Sequence, residues 1–296
     1  MRLISFESEA GSSWGAVVGD GVVDLAERLG VATLRSALEG HLLSKIGTIL
    51  AGSPPRVDHA LADIRFEPVI PDPGQILCVG LNYSEHQAET LRERTDHPTI
   101  FARFGRSQIG HDATIVRPRE SSALDFEGEL AIIIGRQGRR ISEVDAMSYI
   151  AGYACYNDVT LRDFQKHTSQ WHPGKNFPAT GAFGPWMVTS DEIPDPTVLS
   201  IQTRLNGEVV QAAGLSQLIF SIPEIIAYCS TFTDLRPGDV IATGTPGGVG
   251  SARKPPLWMT AGDRVEVEIP LVGCLANSVA DEDTPTQVAQ AAFAAD

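Results

Sequence analysis

Two glutamates one residue apart, Glu127 and Glu129, run straight into residues 130–134, which are apolar at every position. Side chains alternate across a strand, so both carboxylates leave the same face. The unbroken apolar run predicts a strand covered on both faces. Two carboxylates leading into such a strand need neutralising, and a hard divalent cation held through oxygen, Mg²⁺ or Mn²⁺, does so. The competing reading is a solvated strand face, and the chain holds its own example of one. Val265-Glu266-Val267-Glu268-Ile269 repeats the spacing with strict apolar alternation, the pattern of a half-exposed antiparallel strand. Gly128 separates the first pair from that case, because glycine in a strand marks a close approach of backbone or ligand.

Other groups complete a possible site. Asp158 closes an apolar segment, Gly152-Tyr153-Ala154-Cys155-Tyr156-Asn157-Asp158. It is either a third metal carboxylate or the cap of the turn that follows. His86 and Glu89 share one face of a helix at i and i+3, the arrangement of a carboxylate-held general base, although a solvated helix has the same pattern. Residues 243–250, Thr-Gly-Thr-Pro-Gly-Gly-Val-Gly, have neither the Gly-Lys-Ser/Thr ending of a nucleotide loop nor an apolar helix behind them. They are a plain glycine turn, or a loop whose amides and Thr245 hold a substrate carboxylate. Arg103, Arg162, Gln165 and Lys175 lie near the acidic elements in sequence and suit a dianionic keto-acid, while each alone reads as a surface residue. Histidines 41, 59, 97, 111, 167 and 172 show no metal-ligand spacing, and His167 and His172 are kept as outer partners of the site.

The elements that must position these groups are mostly strands. Of the 296 residues, 28 are glycine and 19 proline, favouring turns and β-structure over helix. Short strands and a helical stretch around residues 34–50 come first, broken at Pro54-Pro55. Residues 67–74, Glu-Pro-Val-Ile-Pro-Asp-Pro-Gly, cannot continue a helix and set a boundary. The predicted organisation is a small N-terminal α/β domain over residues 1–70 and a catalytic domain over 71–296. Helices are expected from Asn82 to about Arg94, from Ser142 to Ile150, and from the capping box Ser221-Ile222-Pro223-Glu224 through Tyr228. Turns at residues 236–239 and 260–263 each launch a strand. The order of elements does not alternate βα, so the fold class is α+β and β-rich, a mixed β-sandwich roll.

A net charge of −14 argues against nucleic acid or anionic membrane partners. The four cysteines are dispersed among apolar neighbours, as reduced core thiols are. Glu7 and Glu9 interrupt any signal sequence, and no apolar run reaches a membrane span. A cytoplasmic location is expected.

Taken together, these segments resemble the fumarylacetoacetate hydrolase family. The matching stretches run from Cys78-Val79-Gly80-Leu81-Asn82-Tyr83 through His86 and Glu89 to Asp125-Phe126-Glu127-Gly128-Glu129-Leu130, then Asn157-Asp158 and Arg162-Asp163-Phe164-Gln165. They continue through Gly174-Lys175-Asn176-Phe177, Gly184-Pro185-Trp186, Leu205-Asn206-Gly207-Glu208 and Pro237-Gly238-Asp239-Val240 to Thr243-Gly244-Thr245-Pro246-Gly247-Gly248. The resemblance implies a β-roll core, a homodimer, and Mg²⁺ or Mn²⁺ on Glu127, Glu129 and Asp158. It also implies a lid helix carrying His86 and Glu89, with Arg162, Gln165, Lys175 and Thr245 around the substrate. Arg103 stands where many relatives have lysine, suggesting a planar carboxylate clamp. Pro178 stands where many have aspartate.

The function expected is a metal-dependent hydrolase that cuts a carbon–carbon bond in a β-diketo acid of acylpyruvate or fumarylpyruvate type. His86, oriented by Glu89, would activate water, and Lys175 and Gln165 would stabilise charge at the attacked carbonyl. A decarboxylase or isomerase of a keto acid from aromatic or sugar-acid catabolism fits the same residues. A non-catalytic keto-acid binder leaves the dyad without a use, and a structural protein leaves the three carboxylates unexplained.

Overall fold

The computed structural model describes residues 1–52, 56–89 and 95–283. Pro54-Pro55 and the far end of the helix expected to reach Arg94 lie outside them. Two sheets face each other across a core, as the sandwich reading expects. In the main sheet the strand order is His59–Ala60, Gly21–Asp24, Gly11–Val18, Arg2–Ser8, Gly181–Thr189, Ile150–Asp158, Gly128–Ile134, Val240–Ala242, Ile76–Gly80, Thr99–Arg103. Pairing is mixed, with Val240–Ala242 parallel to Ile76–Gly80 and the other neighbours on this path antiparallel. The second sheet runs Glu208–Gly214, Ser200–Leu205, Arg264–Ile269, Gly273–Asp281, Ile115–Arg117.

The apolar run ahead of Ile134 is buried at every position, and the strand is covered twice. Leu130, Ile132 and Ile134 pack with Ile201, Val267 and Leu275 of the second sheet and with Ile225 and Cys229 of the helix Ile222–Phe232. Ala131 and Ile133 turn the other way, towards Trp14, Leu34, Leu38 and Ile46. Residues 265–269 behave as the half-exposed case, with Glu266 and Glu268 partly exposed and both paired to Arg204. The capping box at Ser221 and the cap at Ser142 hold as read, although the helix after Ser142 gives way to a 3-10 turn at Met147–Tyr149 before the expected end at Ile150. Ser221 accepts from Glu224 N, and its helix continues past Tyr228 to Phe232; Ser142 caps Glu143–Ala146.

The strands before residue 70 are not a separate sheet. Arg2 and Leu3 pair with Val188 and Met187, so the N-terminal strands extend the sheet that carries the carboxylates. The core beneath them is shared too, since Leu3 and Trp14 cluster with Cys78, Tyr156 and Phe183. The boundary near residue 70 is therefore a break in composition across which hydrogen bonding and packing are continuous.

Among the described residues no helix is long and apolar enough to cross a membrane.

Candidate active site

Strand register brings the three carboxylates together. Asp158 N donates to Glu127 O at 2.9 Å, and Glu129 lies opposite Tyr156. Residues directly opposite in an antiparallel pair share a face, so Glu127, Glu129 and Asp158 project to one side. Their ligand oxygens all lie within 4.8 Å of one another, and all three side chains are buried. On the opposite face, a Cβ at Gly128 would meet Thr203 Oγ1 at 2.1 Å, and Gly128 N donates to Gln211 Oε1 at 3.0 Å. The close approach expected at this glycine is thus made by the second sheet.

Lys175 neutralises two of the three acids. Its Nζ donates to Glu127 Oε2 and Asp158 Oδ2, each at 2.6 Å, and lies over the Phe101 ring. Arg162 Nη2 stands 2.7 Å from Glu127 Oε1 as an ion pair. Burial opposes ionisation of Glu127, but Lys175 and Arg162 outweigh it and hold the carboxyl below its ordinary range. Glu129 has the reverse fate. Burial first, then the charges of Asp158 and Glu127, push it well above the usual carboxylate range, and Lys175 and the Gly244 amide only partly offset them. Burial works against the Lys175 ammonium, yet Asp158 and Glu127 raise its pKa above the ordinary lysine value. An all-oxygen set of three buried carboxylates, one of them too costly to ionise alone, fits a hard divalent cation.

A cavity of about 430 Å³ opens on this cluster, lined by His86, Glu89, Glu127, Glu129, Arg162, Gln165, Lys175 and Thr245 among others. Asp158 sits beneath them, fully buried. The helix Ser84–Glu89 brings His86 to this cavity: its Nδ1 lies 2.7 Å from Glu89 Oε1, and Gly248 N donates to Glu89 Oε2 at 2.9 Å.

One expectation changes. Arg103 is not a substrate clamp. Its Nη1 donates to Asp158 Oδ1 at 2.6 Å and Val159 O at 3.0 Å, and its Nη2 donates to Thr180 Oγ1 at 2.8 Å, all away from the cavity. Its strand packs behind the acids, so its planar fork fixes Asp158 instead of reaching a ligand. Of the two readings of the glycine loop, the plain turn fits better, because three of its amides hold the protein's own acids: Gly244 N donates to Glu129 at 2.8 Å, Gly248 N to Glu89, and Gly250 N to Asp125 at 2.7 Å. Only the Thr245 side chain faces the cavity as expected, with its Oγ1 accepting from Gln211 Nε2 at 2.8 Å. His167 and His172 are not brought to the cavity; they lie against Phe164 and Phe104. Pro178 sits with those aromatic rings on the surface.

Three residues without an assigned role turn out to matter. Asp125, fully buried, accepts from Gly250 N, Ser251 N and Arg162 Nε, at 2.7, 2.9 and 2.7 Å. The signal was present, since 125, 127 and 129 are three carboxylates on one strand parity. Gln211 ties Gly128 to the loop at Thr245 and Pro246. Trp171 walls the cavity, seated where a Cβ at Gly80 would come within 2.4 Å of its Cζ3. Neither of these last two has a sequence signal, because their partners are more than thirty residues away.

The profile of the fumarylacetoacetate (FAA) hydrolase C-terminal family matches residues 75–280. The chain belongs to the fumarylacetoacetate hydrolase family. Rattus norvegicus "Oxaloacetate tautomerase Fahd2a, mitochondrial" is 37% identical over 288 residues, covering 94% of this chain and 91% of that protein. Fumarylacetoacetate hydrolase from psychrophilic Exiguobacterium antarcticum superimposes with a TM-score of 0.83 at 32% identity, covering 95% of this chain and 100% of that one. Maleylpyruvate hydrolase from Sphingobium sp. SYK-6, in complex with manganese(II) ion and pyruvate, gives a TM-score of 0.79 at 29% identity, covering 95% and 99%. The family is one of enzymes, and its members named here include both a tautomerase and hydrolases of small keto-acids.

Proposed function

We propose that the protein is a keto–enol tautomerase for a short 2-oxo diacid of the oxaloacetate class, with Mg²⁺ or Mn²⁺ on Glu127, Glu129 and Asp158. The observation that carries this reading is the His86–Glu89 pair, fixed by the Gly248 amide and facing the same cavity as the carboxylates. The rat tautomerase, similar over nearly the whole chain, supports it. A divalent cation bound at the three acids supplies Lewis acidity and charge to the ketone end of the substrate.

The chain's own groups do the rest. His86, oriented by Glu89, takes a proton from the carbon beside the ketone and the resulting enolate oxygen takes a proton from solvent, the two transfers that together convert the keto into the enol form. Lys175, kept charged by Asp158 and Glu127, stabilises the negative charge that develops on the ketone oxygen. Gln165 Oε1 accepts from Arg162 Nη1 at 3.0 Å, which leaves its amide NH₂ to bind a substrate oxygen. Thr245, whose oxygen accepts from Gln211, has its own O–H to donate into the cavity. Lys166 at the rim is placed for a distal carboxylate.

The second reading is carbon–carbon hydrolysis of an acylpyruvate, in which His86 takes its proton from water. The likeness to maleylpyruvate hydrolase favours it. In either case the working form is a cytoplasmic homodimer, which cell fractionation and sedimentation equilibrium test. The two reactions separate in one experiment. The ultraviolet absorbance of enol-oxaloacetate is followed with and without Mn²⁺, alongside pyruvate release from an acylpyruvate panel in H₂¹⁸O. Metal-dependent loss of the enol signal without pyruvate release supports tautomerisation. Label in a new carboxylate product would overturn it in favour of hydrolysis.

A further inference from the structure

The base is not held by its helix alone. Glu89 binds Gly248 N, and Gly248 is in turn gripped from the far side, because Arg253 Nε donates to Gly248 O at 3.1 Å. The same guanidinium donates through Nη2 to Val210 O at 2.7 Å, in the second sheet. Space around this peptide is tight. A Cβ at Gly248, where φ is +99°, would meet Val210 O at 2.3 Å, and one at Gly247 would meet Glu85 Cβ at 3.0 Å. The loop is therefore clamped between the strand Glu208–Gly214 and the helix that carries His86. Asp125 fixes its other end through Gly250 N and Ser251 N.

We propose that Arg253 is a positioning residue for the base, setting Glu89 and hence the His86 imidazole relative to the carboxylates through the Gly248 peptide. Arg253 is half-buried and does not line the cavity, so it reaches the reacting groups only through the loop. A carbonyl held by a charged donor cannot swing, and the N–H of Gly248 and the C=O of Gly248 flank the same residue. A small displacement of a base relative to a bound carbon acid is costly in rate and leaves ground-state binding untouched.

The test compares Arg253→Met and Arg253→Lys with wild type in the full chain. Its kinetic arm rests on the proposed tautomerase activity; its spectroscopic arm does not. With oxaloacetate and Mn²⁺, Arg253→Met is expected to lower kcat about tenfold with KM within about twofold. Arg253→Lys, which keeps one donor to Gly248 O, should recover part of the loss. Mn²⁺ titration by calorimetry should stay at the wild-type affinity, because the three acids do not touch Arg253. In metal-free, ¹⁵N-histidine-labelled protein, the His86 ring signals, assigned by their absence in His86→Gln, should shift in Arg253→Met and return towards wild type in Arg253→Lys. Unchanged kcat and unchanged His86 signals overturn the proposal. So does a parallel fall of kcat, Mn²⁺ affinity and melting temperature, which would mark general loosening. If wild type turns over no oxaloacetate, the functional reading fails, and the His86 signals alone then decide whether Arg253 positions the base.

Discussion

Glu129 bears the electrostatic cost of bringing three acids together. Its raised pKa means that the metal-free protein keeps a proton there at pH values where an ordinary carboxyl has lost it. A cation needs the carboxylate, so binding must release that proton, and affinity must rise with pH until Glu129 ionises unaided. The expected outcome is Mn²⁺ affinity falling about tenfold for each pH unit below that point. Calorimetry in buffers of different ionisation enthalpy reads the proton directly, and a buffer-independent enthalpy would contradict it. Arg103 makes a second prediction at this scale. Lysine keeps the charge but loses the fork that joins Asp158 to Thr180. Arg103→Lys should therefore weaken Mn²⁺ about 10–100-fold, as losses of a ligand's supporting contact do, with the helix content by circular dichroism unchanged.

At the scale of elements, some features could be read ahead and others could not. The double-covered strand, the capping box at Ser221, the cap at Ser142 and the face shared by Glu127 and Glu129 follow from periodicity and local chemistry, and all were legible. The target of Arg103 was not, because a guanidinium near an acidic strand can turn inward or outward with the same sequence. The role of the glycine loop stayed open for a related reason. Backbone amides carry no residue identity, so nothing in Thr-Gly-Thr-Pro-Gly-Gly shows that they point at Glu129 and Glu89. Gly128 shows how such a contact is checked. Thr203 Oγ1 lies 2.1 Å from where a Cβ would sit there, so Gly128→Ala forces the second sheet away from the strand that carries Glu129. Overpacking of this kind should cost about 1–3 kcal/mol, seen as a lower melting temperature and urea midpoint. A melting temperature equal to wild type would mean that the sheets separate freely.

For the whole molecule, the decisive fact is that the N-terminal strands belong to the sheet that carries the three carboxylates. A chain cut to residues 71–296 would expose the edge of Gly181–Thr189 at Met187 and Val188 and uncover Ala131, Ala154, Tyr156 and Phe183. Open edges and bare apolar faces favour aggregation. The truncated chain should be insoluble or bind a hydrophobic dye without a cooperative thermal transition. A soluble, cooperatively melting 71–296 fragment that still binds Mn²⁺ would show that the first strands are an accessory.

That same pairing sets an order of events during synthesis. Arg2 is joined to Val188, so the strand Arg2–Ser8 can close its hairpin with Gly11–Val18 and pair Phe6 and Glu7 with Arg65–Phe66 early, but its outer edge at Arg2 and Leu3 waits while the ribosome makes everything up to Gly181–Thr189. Distant pairings of this kind are slow to form. Through that interval the nascent chain carries an open β-edge that sticks to other strands, and its yield in a cell should depend on chaperones that shield that edge until its partner emerges.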